Sequence, residues 1–355
     1  MTTAYLNRIA TAVPEHDVHE CFISYARSLL GDNRRQLLFQ RMVDRAAISH
    51  RWSFLEPAAS AGSDAIDAGG FYRRGRFATT AERMARYGQD APVLAARAVD
   101  RLGLGRGARD ITHLITVSCT GLFAPGIEFD LIRRFGIPPQ VERTHVGFMG
   151  CQAAINALKL ARHIVRSEPA AKVLIASVEL CTLHLQETDE IETLLSFLIF
   201  GDGCAAALVS AAPEGLALER FHAFVADETA DLITWNVGDR GFDMFLSGRV
   251  PRAIGGALGS RTGDILNGTP FDEVRYWAVH PGGRTVLDAV ADSLGLKGDA
   301  LGASRRVLDD FGNMSSATVL FVLQDVMARA ARDERGCAMS FGPGLSAETM
   351  TFRVA

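Results

Sequence analysis

The chain reads as an α/β protein. Three observations predict this: short apolar runs bounded by turn residues, helix-period stretches between them, and an order of motifs in the first half that returns weakly in the second. The runs at 113–120 (HLITVSCT), 171–180 (AKVLIASVEL), 203–210 (GCAAALVS), 274–280 (VRYWAVH) and 337–342 (CAMSFG) are rich in β-branched or small apolar residues, and each is predicted as a buried strand. Residues 151–167 (CQAAINALKLARHIVRS) and 315–331 (SSATVLFVLQDVMARAA) repeat apolar residues at three- and four-residue steps and are predicted as helices.

The internal echo is one of order. In the first half a strand leads to Cys151 at a helix start, followed by a strand, a polar segment and FGDGCAAALVS. In the second, a strand ends at His280, FGNMSSATVLFVL opens a helix, and CAMSFGPG follows. The small, Pro- and Gly-containing stretch 210–217 (SAAPEGLA) divides the chain into halves 1–212 and 213–355. The charge-rich stretch 51–92 reads as an irregular surface excursion.

Composition narrows the classes. The 355 residues are 48% hydrophobic and 22% charged, enough for a large core. Lys plus Arg number 37 against 41 Asp plus Glu, a net charge of -4, so no global basic field draws the chain to nucleic acid. Six cysteines (21, 119, 151, 181, 204, 337) lie scattered without CxxC pairs or metal-ligand spacing, so no metal is expected and reduced thiols in a cytoplasm are. The opening MTTAYLNRIATAVPEHD lacks a secretory pattern, and no 18-residue apolar stretch predicts a membrane span.

Three residues stand where chemistry could be done. Cys151 follows Gly150 at a predicted helix start, where free backbone N–H groups and the positive helix end favour a thiolate, although a lone cysteine in apolar company is more often packing. His280 ends a strand just before Pro281-Gly282-Gly283, a position suited to ligands in an open α/β sheet and equally to capping the next helix. Asn313 sits between a glycine and Ser315-Ser316; alone it fits an N-cap or a left-handed turn better than a site.

Taken together, cysteine, histidine and asparagine in this order, each on a glycine-marked turn, resemble the thiolase superfamily. More narrowly the chain resembles type III polyketide synthases, related to chalcone synthase and its bacterial cousins. The matches run from ATAVPEHDV through GCQAAINALKLA, FGDGCAAALV, VHPGGRTVLD and FGNMSSATVLFVL to FGPGLSAETMTFR. The resemblance implies a thiolase-like fold, two similar halves packed as a five-layered αβαβα core, and a cytoplasmic homodimer built around HLITVSCT and the following GLFAPGIEFD.

It also implies roles. Cys151 would carry the acyl group, with His280 as its imidazolium partner, and His280 and Asn313 would donate to the developing oxyanion. Cavity positions held by threonines in chalcone synthases correspond to Cys119 and His184; one gating phenylalanine is kept as Phe200 and the other is replaced by Met244; Ser315 joins them as a substrate contact. Arg41 and Arg45, one helical turn apart, would meet the CoA phosphates, and Gly282 and Thr285 the pantetheine arm. The family's GFGPG is SFGPG here, and Ser340 at its first position is expected to be of no consequence.

The function expected is repeated decarboxylative condensation of malonyl-CoA onto an acyl-CoA starter, with no cofactor beyond the CoA thioesters. Alkylpyrones or alkylresorcinols are the first expectation for the product. The alternatives are a small polyketide of phloroglucinol or tetrahydroxynaphthalene type from malonyl-CoA alone, and a single-condensation β-ketoacyl-carrier-protein synthase of the third class. A catalytically silent scaffold that only binds acyl-CoA is the reading from another class.

Overall fold

Every residue of Val173–Leu180 is buried, as a strand covered by helices on both faces requires. The computed structural model describes residues 2–59 and 64–355. The first half runs β1 (Tyr5–Ala12), β2 (His16–Asp17), α1 (His19–Leu29), α2 (Asn33–Asp44), β3 (Trp52–Ser53), β4 (Tyr72–Arg73), β5 (Arg76–Phe77) and α3 (Thr80–Arg101). It continues β6 (His113–Ser118), α4 (Ile127–Phe135), β7 (Glu142–Gly147), α5 (Ala153–Ser167), β8 (Val173–Leu180), α6 (Ile191–Leu198) and β9 (Asp202–Ser210). The second half opens with β10 (Leu216–Val225), the hairpin β11 (Ile233–Gly238) and β12 (Gly241–Leu246), and α7 (Val250–Leu266). Then come β13 (Val274–Val279), α8 (Arg284–Leu294), α9 (Gly302–Phe311), α10 (Thr318–Met327), β14 (Arg335–Gly342) and β15 (Ser346–Val354).

Nine strands are hydrogen-bonded in the order β13-β14-β15-β10-β1-β9-β8-β6-β7. The seam between β1 and β10 consists of only Tyr5↔Ala217 and Leu6↔Leu216, so the series is two sheets joined at a narrow edge. Each repeats one pattern. From the seam outward, β1–β9–β8 are antiparallel and β8–β6 parallel; β10–β15–β14 are antiparallel and β14–β13 parallel. By this correspondence α10, which precedes β14, is the counterpart of α5, which precedes β8.

Side-chain alternation along the strands then sorts the core into layers. Val173 and Ile175 of β8, with Ala278 and Ala338 of the other sheet, face a central pair of helices, α5 and α10. Leu174, Ala176 and Val178 face α3 on one outside; Trp277, Val279, Cys337 and Met339 face α7 and α8 on the other. The result is helix, sheet, helix pair, sheet, helix pair, the five-layered thiolase-like arrangement. Fully buried alanines at 153, 154, 157 and 161 let α5 lie close between the two sheets.

One expectation is overturned here. The stretch 51–92 is not an irregular excursion: from Thr80 onward it is the first half of α3, a 22-residue helix opened by a Thr79–Glu82 capping box. Gly88 and Pro92 read as breakers, but the stripe Tyr87, Ala91, Leu94, Ala95, Ala98 and Val99 is buried on the sheet, and that burial outweighs one lost helical hydrogen bond. Within 51–79 the described residues form two-residue strands, β3 paired with β2 and β4 with β5, and isolated bridges, and residues 60–63 fall outside the described residues.

Candidate active site

The turn that carries Cys151 is set by two steric demands on Gly150. Its φ is +75°, and a Cβ there would lie 2.2 Å from Pro343 Cδ, so only glycine fits. Residues Gly150–Gln152 form a single 3-10 turn, which places Cys151 just ahead of α5 rather than within it. The turn is held from both sheets: the Gly150 N–H donates to Cys119 Sγ (3.0 Å), and Ser340 Oγ of β14 donates to the carbonyl oxygen of Cys151 (2.7 Å). Ser340, expected to be of no consequence, thus contacts the nucleophile's turn. A glycine could not make this bond.

The second half supplies a matching turn before α10. The backbone of Asn313 pairs with the Phe200 segment, its N–H donating to Ile199 O (2.8 Å) and its carbonyl accepting from Gly201 (3.0 Å). Asn313 Oδ1 accepts the Ser315 N–H (2.8 Å), which leaves the amide Nδ2 as the donor on the Cys151 side. Ser315 is held at φ +47°, and its hydroxyl lies 3.8 Å from Cys151 Sγ. His280 follows β13, fixed by its N–H to Met339 O (2.7 Å). The ring of His280 is buried, and neither nitrogen has a hydrogen-bond partner among the described residues. Buried polar atoms are rarely left so, and a group that arrives with the ligand is the natural partner.

Cys151, His280 and Asn313 line one cavity with about 60 Å3 open to the centre of a water molecule. Its wall is apolar, with Phe197, Ile233, Leu246, Val250 and Ile254 among the contributors. Of the residues expected there, Cys119, Phe200, Met244, Ser315 and Gly282 are present. His184 is not, a correction: it lies behind the wall with both ring nitrogens bonded to backbone, Nε2 to Thr120 O (2.6 Å) and Nδ1 to the Phe242 N–H (3.0 Å). Thr285 is also absent from the lining; it is exposed on the first turn of α8, in a surface groove with Asp288 and Asp292. Arg41 and Arg45 are exposed at the end of α2, outside the cavity.

Burial decides the charge states. It pushes the Cys151 thiol up to about 12, a rise that the nearby Ser315 hydroxyl and Asn313 amide oppose, and it holds His280 down at about 3. Each is thus neutral on its own account. Burial disfavours the charged form of each group, so the imidazolium-held thiolate expected from the sequence would need each new charge to compensate the other.

Besides the apolar wall residues, contributors not anticipated include Cys181 and Trp235 in the lining and Glu179 behind it. Glu179, fully buried in β8, joins the halves: it accepts from the Cys119 N–H (2.9 Å), Thr120 Oγ1 (2.7 Å) and the Ser316 hydroxyl. A single acid within the apolar run VLIASVEL was the signal available for it.

Two glycine-marked turns, one from each half of a thiolase-like fold, and the end of β13 thus bring a cysteine, an asparagine and a histidine to one apolar pocket, the arrangement of an acyl-transferring condensing enzyme. The sequence matches the family "Chalcone and stilbene synthases", its N-terminal domain over residues 2–213 and its C-terminal domain over 220–355. The chain belongs to that family and is a type III polyketide synthase, an acyltransferase acting on acyl-CoA and malonyl-CoA. It is 30% identical to the "Alpha-pyrone synthesis polyketide synthase-like Pks18" of Mycobacterium tuberculosis, over 99% of this chain and 92% of that protein. It is 36% identical to the bisdemethoxycurcumin synthase of Oryza sativa, over 73% of this chain and 70% of that one. Among solved structures, PKS-I from the brown alga Ectocarpus siliculosus superposes with a TM-score of 0.88 at 29% identity, covering 100% of this chain and 99% of the other.

Proposed function

We propose that the enzyme primes with an aliphatic acyl-CoA, extends it with malonyl-CoA and releases an alkylpyrone or alkylresorcinol. The observation that carries this is the apolar cavity around Cys151, His280 and Asn313. The polar ring of His184 does not enter it, which removes the feature that argued for a small, wet pocket. The α-pyrone in the name of the mycobacterial relative supports the same product class.

In this reading the Cys151 proton passes to His280 as the thiolate attacks the starter's thioester carbon; the carbon–sulfur bond to CoA breaks, and the CoA thiolate takes the proton. Malonyl-CoA then loses carbon dioxide, and its electron pair becomes an enolate whose oxygen accepts hydrogen bonds from His280 and Asn313 Nδ2. Each preorganised donor of this kind is commonly worth about 3–4 kcal/mol. The enolate carbon attacks the acyl group, a carbon–carbon bond forms, and the Cys151 thiolate leaves. For each further round the Cys151 thiolate takes the chain back from CoA, releasing the CoA thiol, and at the end an enol oxygen of the chain attacks the terminal thioester carbonyl, closing a pyrone and expelling CoA thiolate, which takes the enol proton. Arg41 and Arg45 are proposed to meet the CoA phosphates from the surface of α2.

The modest free volume favours a second reading, malonyl-CoA as its own starter. Mass spectrometry of products, with kcat/KM along a series of starters from butanoyl to dodecanoyl, separates the two. Burying each added CH₂ contributes about 0.8 kcal/mol, or roughly fourfold per carbon at best. A rising series supports the alkyl reading; a flat or falling one, with product from malonyl-CoA alone, overturns it.

We also propose a homodimer. The edge strand β7 has no buried residue, and Leu122, Phe129, Phe148 and Met149 are exposed beside it, an apolar surface a second copy would cover. An active monomer in sedimentation at micromolar concentration would refute this.

A further inference from the structure

The β11–β12 hairpin forms one wall of the cavity, contributing Ile233, Trp235, Met244 and Leu246. A two-stranded ribbon is marginal by itself and takes its position from what it is tied to. Its ties converge on His184. Nδ1 accepts the Phe242 N–H, so this nitrogen carries the lone pair and Nε2 carries the proton that it donates to Thr120 O. The imidazole also stacks on Phe242, centroids 4.2 Å apart at 14°, and meets Trp235 edge-on at 5.5 Å. Trp235 in turn donates from Nε1 to Cys119 O (2.8 Å), beside the nucleophile's turn.

His184 is itself clamped. The fully buried Arg83 of α3 donates from Nη1 to Leu183 O (2.8 Å) and Leu185 O (2.9 Å), the carbonyls on either side of the histidine. The turn of the hairpin is tied separately, at a distance from the cavity: Thr80 Oγ1 accepts the Gly241 N–H (2.8 Å) and donates to Gly238 O. Arg83 also occupies the space in front of Gly241, where a Cβ would lie 2.7 Å from Nη1 and φ is +99°. The hairpin is therefore tied at its turn through Thr80 and on its cavity side through His184 and Trp235.

We propose that His184 is a positioning residue that sets cavity shape from behind the wall: its neutral, Nε2-protonated ring pins the hairpin, and with it Trp235 and Met244, and so fixes how many malonyl units are added before ring closure. The proposal rests on the polyketide reading above only for that last consequence. Protonating Nδ1 would aim it at an N–H donor, so the ring serves as a fixed bracket and takes no part in proton transfer.

The test uses the full chain with Trp52→Phe and Trp277→Phe, leaving Trp235 as the only tryptophan. In this background His184→Ala and His184→Phe are expected to red-shift Trp235 emission and to change the ratio of products differing by one malonyl unit about fivefold, the effect of losing one or two hydrogen bonds. His184→Gln, able to donate and accept in the same places, is expected to remain near the parent in both readouts. Thr80→Ala, outside the cavity, should move both in the direction of His184→Ala by a smaller amount, and it decides the matter if the His184 variants do not fold. Parental emission in folded Ala and Phe variants, shifted emission with an unchanged product ratio, or a Gln variant as damaged as Ala would overturn the proposal. The emission readout needs no turnover, so a chain that makes no polyketide at all refutes the polyketide reading without deciding the pin.

Discussion

His280 is the residue whose environment demands most explanation. Each unsatisfied buried polar atom costs about 1–3 kcal/mol, and His280, which lines the cavity, carries two of them. Cys151 lines the same cavity and burial favours its neutral thiol; in the proposed mechanism the ring takes its proton. His280→Gln removes that acceptor, so Cys151 alkylation by iodoacetamide at neutral pH is expected to fall by about tenfold or more, the factor in thiolate fraction for each unit of rise. Its pH dependence should move to the alkaline side; an unchanged rate and profile would mean that the two do not share a proton. Ser340 offers a second residue-scale test. Ser340→Gly deletes the bond to the Cys151 carbonyl and is expected to slow enzyme acylation about fivefold, as for one neutral hydrogen bond. A parental acylation rate would return the serine to the inconsequential role first expected of it.

At the scale of elements, the account depends on two turns that open α5 and α10. Gly150→Ala is expected to abolish condensation and destabilise the fold by roughly 1–3 kcal/mol or more, because positive φ and contact with Pro343 act together. Thermal denaturation and product assay check it; a stable, active variant would show that the turn can relax. Much at this scale was legible in the sequence. The strands β6, β8, β9, β13 and β14 are apolar runs because both their faces are covered, and the glycines beside Cys151 and Asn313 marked the turns. What failed was the reading of α3, whose one buried stripe is hidden by Arg, Gln, Gly and Pro on its other positions; β7, a polar edge strand with no alternation to find, drew no prediction. The place of His184 was illegible for another reason. Sequence position gives no sign of whether a side chain enters a cavity or bonds to the backbone behind it, and here two long-range backbone contacts decided the matter.

For the whole molecule, buried ionisable groups make stability depend on pH. Burial lowers His19 to about 4 and His184 and His280 to about 3, whereas their unfolded counterparts bind protons below about 6.5. The unfolded chain then holds more protons than the folded one, so this contribution is full above that value and is lost as pH falls toward 4. Asp202, raised by burial to about 7, and Glu179, also raised by burial, act in the opposite sense, since the folded state keeps their protons longer. Three imidazoles outweigh two carboxyls. Chemical denaturation is expected to show stability falling on acidification from pH 6.5 to 4.5 by on the order of 1 kcal/mol per pH unit; a flat or rising profile would contradict the buried, neutral assignments. The central claim, that the two halves of the fold meet in order to load one thiol out of six, is tested most directly by intact-protein and peptide mass spectrometry after brief incubation with an acyl-CoA alone. The account predicts a single acyl adduct on Cys151, absent from Cys151→Ala together with all polyketide product. An adduct on Cys119 or Cys181 instead, or polyketide made by Cys151→Ala, would contradict it.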